Sequence, residues 1–206
     1  MLLLKNNRQK DRQKMHSIIL ASSSIYRKEL LSRLKVPFNT FSPDIDESRL
    51  ANESIPAMVE RLSQAKANAG CLQNPESICI GSDVVAGLDD LILGKPETHE
   101  NAIEQLAQMS GNEVIFYTGV CVSAPSLSFE TYHLSPTKVR FKKLTEDMIE
   151  HYLQKEKPYQ SAGSFKAETL AIALLESYEC EDPTAIIGLP LIFLSQKLIE
   201  IGVKIF

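Results

Sequence analysis

Ile18-Ile19-Leu20-Ala21-Ser22-Ser23-Ser24 is the stretch that decides the fold class. Four apolar residues stop at a serine turn, and beyond it Leu30, Leu31 and Leu34 recur at helical spacing. That order reads strand, turn, helix. Outward from it, a second helix fits Ile55 to Ala69, with Ser54 as its cap, Pro56 in its first turn and Gly70 to end it. Its apolar stripe is Val59, Leu62 and Ala69, which leaves Lys66 off the stripe. Ile78 to Val85 reads as a buried strand, and Leu91-Ile92-Leu93 as its hairpin partner beyond the Asp89-Asp90 turn. Thr98 opens a helix that Gly111 ends, and Glu113 to Val122 and Leu127 to Phe141 are strand-like. A further helix over Thr145 to Lys157, a strand over Leu170 to Leu175 and a last helix from Pro190 to near Gly202 complete an α/β chain with a mixed sheet.

The 206 residues, 44% apolar and 23% charged, describe a globular chain large enough for a real core. A formal charge of -4 argues against broad nucleic-acid binding, which neutralises phosphates with a basic surface. The charge is uneven. Residues 1–14 carry Lys5, Arg8, Lys10, Arg12 and Lys14 against Asp11, and Met15 stands just before the first strand, so 1–14 is expected to be a flexible basic arm. Leu2-Leu3-Leu4 is too short for a signal-peptide apolar region, and the longest uncharged run, Pro183 to Gln196, is too short for a membrane span. A cytoplasmic protein without membrane partners is the expectation. Cys71, Cys79, Cys121 and Cys180 form no Cys-x-x-Cys pair, and His16, His99, His133 and His151 stand apart, which excludes a disulfide scaffold and a zinc centre.

Neither a P-loop nor a Gly-x-Gly-x-x-Gly fingerprint is present; Gly163-Ser164-Phe165-Lys166 lacks the required spacing. The serine turn followed by Arg27 and Lys28 does offer backbone N-H groups, hydroxyls and a guanidinium to an anion. It reads equally as an ordinary N-cap with a surface arginine. Asp83 interrupts an apolar strand, and a lone buried carboxylate needs a cation or a proton to offset its charge. Asp44, Asp46 and Glu47 follow Pro43 in a loop, where acids are commonly solvated. Oxygen donors without clustered His or Cys suit Mg²⁺ or Mn²⁺. Lys66, and Lys95 in Leu93-Gly94-Lys95-Pro96, read singly as surface charges; with Arg27 they supply the cations a triphosphate needs.

Taken in order, Leu20-Ala21-Ser22-Ser23-Ser24-x-x-Arg27, Asp46-Glu47-Ser48, Gly81-Ser82-Asp83, Gly94-Lys95-Pro96, Tyr117-Thr118-Gly119, Ala162-Gly163-Ser164 and Gly188-Leu189-Pro190-Leu191 closely resemble the Maf family of nucleoside triphosphate pyrophosphatases. The resemblance runs from about Ile18 to Gly202 and makes residues 15–206 one domain. It implies an α/β fold like that of the inosine triphosphate pyrophosphatases: an elongated mixed sheet in two lobes with flanking helices, and an active site in the central cleft. It also implies hydrolysis between the α and β phosphates with a divalent metal cation, Mg²⁺, Mn²⁺ or Co²⁺. By matching motif, Asp83 corresponds to the proton acceptor, Glu47 and Asp83 to the metal ligands, and Ser22, Arg27, Lys66 and Lys95 to phosphate contacts. The two lysines count as catalytic because they stabilise charge moving onto the leaving pyrophosphate.

Substrate choice in that family tracks the positions held here by Tyr26, Val84 and Glu168. Ala162-Gly163-Ser164-Phe165-Lys166-x-Glu168 resembles the branch acting on 7-methyl-GTP, although Tyr26 stands where that branch usually has Trp, Ile25 replaces a common proline and Thr169 a common glycine. An aromatic and an acid suit that ligand. N7 methylation makes the purine cationic, so stacking on Tyr26 gains a cation-π component, while Glu168 can accept from the guanine N1-H and N2-H edge. The competing expectations are a pyrophosphatase for dTTP, UTP or CTP, one for ITP or XTP, and a septum-formation regulator acting through a partner. The resemblance also allows a homodimer through the apolar C-terminal helix.

Overall fold

β1 (Ile18–Ala21) leads through the serine turn into α1 (Ile25–Ser32), whose cap Ser24 accepts a hydrogen bond from the Arg27 N-H at 3.4 Å. These residues belong to a computed structural model that describes residues 16–206; the expected basic arm at 1–14 lies outside the described residues. β2 (Phe38–Phe41) follows. It was not foreseen, because in Phe-Asn-Thr-Phe each face carries only one half-buried phenylalanine, which leaves little hydrophobic pattern. α2 (Ile55–Gln73) starts on Ser54 with Pro56 in its first turn, as expected, but runs past Gly70. That glycine serves close packing instead: a Cβ there would stand 3.2 Å from the Cys79 sulfur.

β3 (Ile78–Leu88) turns through Asp89-Asp90 into β4 (Leu91–Leu93), then come α3 (His99–Met109), β5 (Glu113–Ala124), β6 (Phe129–Phe141) and α4 (Glu146–Glu156). Thr98 and Thr145 cap α3 and α4 through side-chain acceptors, each such cap contributing about 1 kcal/mol. The expected strand over Leu170 to Leu175 is instead a 3-10 segment, Leu170–Leu174, followed by β7 (Leu175–Glu179). Burial explains the difference: Ala171 and Leu174 are buried at three-residue spacing while Leu170 and Ile172 face solvent. α5 (Leu191–Glu200) closes the chain.

The sheet has seven strands in the order β2-β1-β3-β5-β6-β7, with β4 paired to the far end of β3. β1 is parallel to β2 and β3, and every other pair is antiparallel, so the sheet is mixed. Alternation along β3 assigns its two faces. Cys79, Gly81, Asp83 and Val85 face α2. Ile78 and Ile80 join α1 and α5 in one apolar cluster on the opposite face, and Ala86 joins α3, α4 and Phe165 in a second. Ser82 and Val84 lie along the strand between those clusters. Cys71, Cys79 and Cys121 are buried in this framework, and burial pushes the Cys121 thiol up to about 12, as befits a packed core thiol.

Candidate active site

A cavity of about 620 Å³ opens where β1 ends and the middle of β3 passes beneath it. Ser22, Tyr26, Arg27, Glu47, Lys66, Asp83, Val84, Lys95 and Glu168 all line it. Nine positions spread over 147 residues of sequence therefore share one cavity, while Asp44 stays outside it.

At its floor Lys66 Nζ stands 2.7 Å from Asp83 Oδ1 and 2.8 Å from Glu47 Oε1. The lysine is 5% exposed and the aspartate 7%. This corrects the expectation that Lys66 lies off the buried stripe. α2 is pressed so closely against the sheet that Ser63, Lys66, Ala67 and Gly70 are all buried along with the stripe. Two glycines permit that approach. A Cβ on Gly81 would sit 2.2 Å from the Ser63 carbonyl oxygen, and one on Gly119 would sit 2.6 Å from Ser63 Oγ. Burying an ammonium and a carboxylate costs several kcal/mol that their contact only partly recovers, so such a pair is a poor way to gain stability. Burial would raise the Glu47 pKa, but the hydrogen bond and charge of Lys66, with Lys95 and Arg27, hold it below the usual carboxylate range.

Arg27 reaches the cavity from α1. Its Nε donates to the Gly188 carbonyl at 2.9 Å and its Nη1 to Ser22 Oγ at 3.3 Å. Burial lowers the guanidinium pKa and Asp83 and Glu47 counter that shift, yet a guanidinium stays charged at any ordinary pH. Ser22 Oγ also accepts from the Ser24 N-H at 3.1 Å. Sequence reasoning did not find the support behind this arginine. Ser82, fully buried, lies within hydrogen-bond distance of both the Gly119 and Gly188 carbonyls, and Thr118 donates to the Ala185 carbonyl, so β3 and β5 hold the Gly188 turn in place. Asp182 fixes the same turn from outside the cavity, accepting from the Thr184 hydroxyl and from the Thr184 and Ile192 N-H groups. Its only sequence signal is an acid shortly before a helix.

Lys95 sits on the turn after β4. That turn is tied down by the Gly163 N-H donating to the Gly94 carbonyl at 3.1 Å and the Glu97 N-H to the Tyr159 carbonyl at 3.0 Å. The neighbouring rim carries Tyr26, Ser161 and Glu168. Burial and then Glu168 raise the Tyr26 phenol above its ordinary value, with an opposing hydrogen bond from Ser161, so the ring is neutral. Among the described residues no group of three or more His, Cys, Asp or Glu is placed to hold a metal by itself. Glu47 and Asp83, both within reach of one ammonium, are hard oxygen donors that could share a cation with a ligand's phosphates.

A family model described as Maf-like protein matches residues 17–201. A Pseudomonas aeruginosa protein named 7-methyl-GTP pyrophosphatase is 49% identical over 191 residues, covering 93% of this chain and all of that one. Proteins of the same name from Nitrosococcus oceani and Polaromonas sp. are 47% and 48% identical, covering 90% and 92% of this chain and 94% and 86% of theirs.

Proposed function

The chain belongs to the Maf family, and on that footing we propose that it is a pyrophosphatase hydrolysing 7-methyl-GTP to 7-methyl-GMP and diphosphate, which keeps the modified nucleotide out of nucleic acids. The observation that carries the reading is the buried Lys66 joining Glu47 and Asp83 inside a cavity that Arg27 and Lys95 also line. A cavity of about 620 Å³ lies within the roughly 300–1,000 Å³ range of small-molecule sites.

In this reading Glu47 and Asp83, with the triphosphate, hold a Mg²⁺, Mn²⁺ or Co²⁺ ion, which when bound lowers the pKa of water and screens phosphate charge. Asp83 accepts the proton of the attacking water. The water oxygen bonds to the α phosphorus as the bond from that phosphorus to the bridging oxygen breaks, and the electron pair leaves with the diphosphate. Arg27, Lys66 and Lys95 stabilise the charge that collects there, and Ser22 adds a hydroxyl contact. Tyr26 stacks on the cationic purine and Glu168 accepts from its N1-H and N2-H edge, while Val84 supplies an apolar wall. The cytoplasm, where nucleotide pools lie, is the compartment this reading implies. No helix among the described residues is long and apolar enough to cross a membrane. A homodimer through α5, whose Ile192 and Ile199 are exposed, belongs to the same reading.

The test is a panel of nucleoside triphosphates with each metal, read by diphosphate release. 7-methyl-GTP is expected to be turned over best, and chelation by EDTA to stop turnover. Equal or better turnover of dTTP, UTP, CTP or ITP removes the base assignment and leaves the reaction. Asp83→Asn is expected to lower kcat by about 10²–10⁴-fold with unchanged circular dichroism; a variant that keeps its rate removes the proton-acceptor role.

A further inference from the structure

Glu168 has no hydrogen bond or ion pair among the described residues, so where its carboxylate stands depends on the chain on either side of it. Both sides are held by one residue outside the cavity. Glu156, the last residue of α4, accepts from the Leu170 N-H through Oε1 at 3.2 Å and from the Thr169 hydroxyl through Oε2 at 2.9 Å. On the other flank Lys166 Nζ donates to the Glu156 carbonyl and lies 3.9 Å from Oε2. The Thr169 N-H closes the turn onto the Lys166 carbonyl at 3.1 Å. One turn earlier on α4, Tyr152 donates to the Ser164 carbonyl and accepts from the Lys166 N-H. Donors at 169 and 170 thus converge on a side chain only 16% exposed, with the Lys166 ammonium beside it and bonded to the Glu156 backbone, so that Glu156 encloses position 168.

We propose that Glu156 is the positioning residue for base selection: it holds the 166–170 turn so that Glu168 presents its carboxylate to the guanine edge before the nucleotide arrives. The inference rests on the base reading given above. An exposed carboxylate on an unbraced turn must lose its freedom on binding, which weakens affinity without touching the chemical step. Releasing the clamp therefore raises KM for a base that uses Glu168 and leaves kcat alone.

The experiment measures KM and kcat for 7-methyl-GTP and for CTP, which lacks that edge, in wild type, Glu156→Ala and Glu156→Gln. Glu156→Ala is expected to raise KM for 7-methyl-GTP about tenfold while both kcat values and KM for CTP stay within about twofold. Glu156→Gln, which keeps one acceptor and the side-chain shape, falls between, and provides the reading if circular dichroism shows that the alanine variant is unfolded. In a Glu168→Ala background Glu156→Ala is expected to add less than about twofold, because a residue that acts through another has nothing further to lose. An equal rise for CTP, full additivity in the Glu168→Ala background or an unchanged selectivity overturns the proposal. A wild type with no preference for 7-methyl-GTP over CTP overturns the base reading and this inference with it; a preference that survives in Glu156→Ala overturns this inference alone.

Discussion

Glu47 is the exposed acid of the three-residue ion cluster, its side chain 59% accessible on a loop with no regular structure, so something else must hold it. That support is Arg61, which forks onto Glu53 with Nε to Oε1 at 2.6 Å and Nη2 to Oε2 at 2.8 Å, and donates to the carbonyl of Ser48, the residue after Glu47. The Arg61 hydrogen bonds draw the Glu53 carboxyl down to about 2 from its ordinary 4.5. A carboxyl whose pKa is lower folded than unfolded stabilises the fold fully above about 4.5. That contribution is lost as the pH falls toward about 2, because the unfolded chain binds the proton first. The melting temperature of the wild type is therefore expected to fall more steeply over that window than that of Glu53→Gln, as scanning calorimetry across a pH series would record. Parallel curves would mean that the fork contributes nothing to folding.

At the scale of elements, the contact of α2 with β3 and β5 decides whether Lys66 can meet Asp83. Gly81 and Gly119 are the positions where the helix backbone comes closest, and neither has a positive φ; space is the whole reason for glycine there. In Gly81→Ala the new Cβ would meet backbone atoms of Ser63 and Ala67 at 2.2 and 2.3 Å, so the helix must shift rather than a side chain. Overpacking of this kind costs about 3 kcal/mol. For a chain of this length that is a loss of roughly 6–12 °C in melting temperature. Turnover should fall with it, since Lys66 moves with α2. A variant that melts normally and turns over normally would show that the close approach is dispensable.

At the scale of the molecule, the cavity draws its walls from α1, the Glu47 loop, α2, β3, the Lys95 turn and the 160–168 turn, so a bound nucleotide ties segments that each main apolar cluster anchors separately. A non-hydrolysable α,β-methylene analogue of 7-methyl-GTP at a hundred times its Kd should stabilise the fold by about 2.7 kcal/mol. Thermal denaturation should record roughly 5–11 °C from this, reduced by EDTA. No shift at that concentration would mean that the folded chain does not bind the analogue in preference to the unfolded one. The strands β1, β3, β4, β5 and β6, all five helices and nine of the residues that line the cavity were legible in the sequence, because hydrophobic period, cap residues and short motifs are local properties. β2 was not, since an edge strand half-buried on both faces leaves little hydrophobic period to read. The burial of Lys66 was not either, since it depends on two glycines in strands that are remote from the helix in sequence. By itself the sequence determined most of the elements, which family the chain belongs to and which side chains carry charge, because these follow from neighbours along the chain. Only the tertiary structure decided that Lys66 joins two carboxylates, that the Gly188 carbonyl anchors Arg27 and that Glu156 encloses the Glu168 turn, because each of these contacts pairs groups whose meeting depends on how helix, strand and turn pack together.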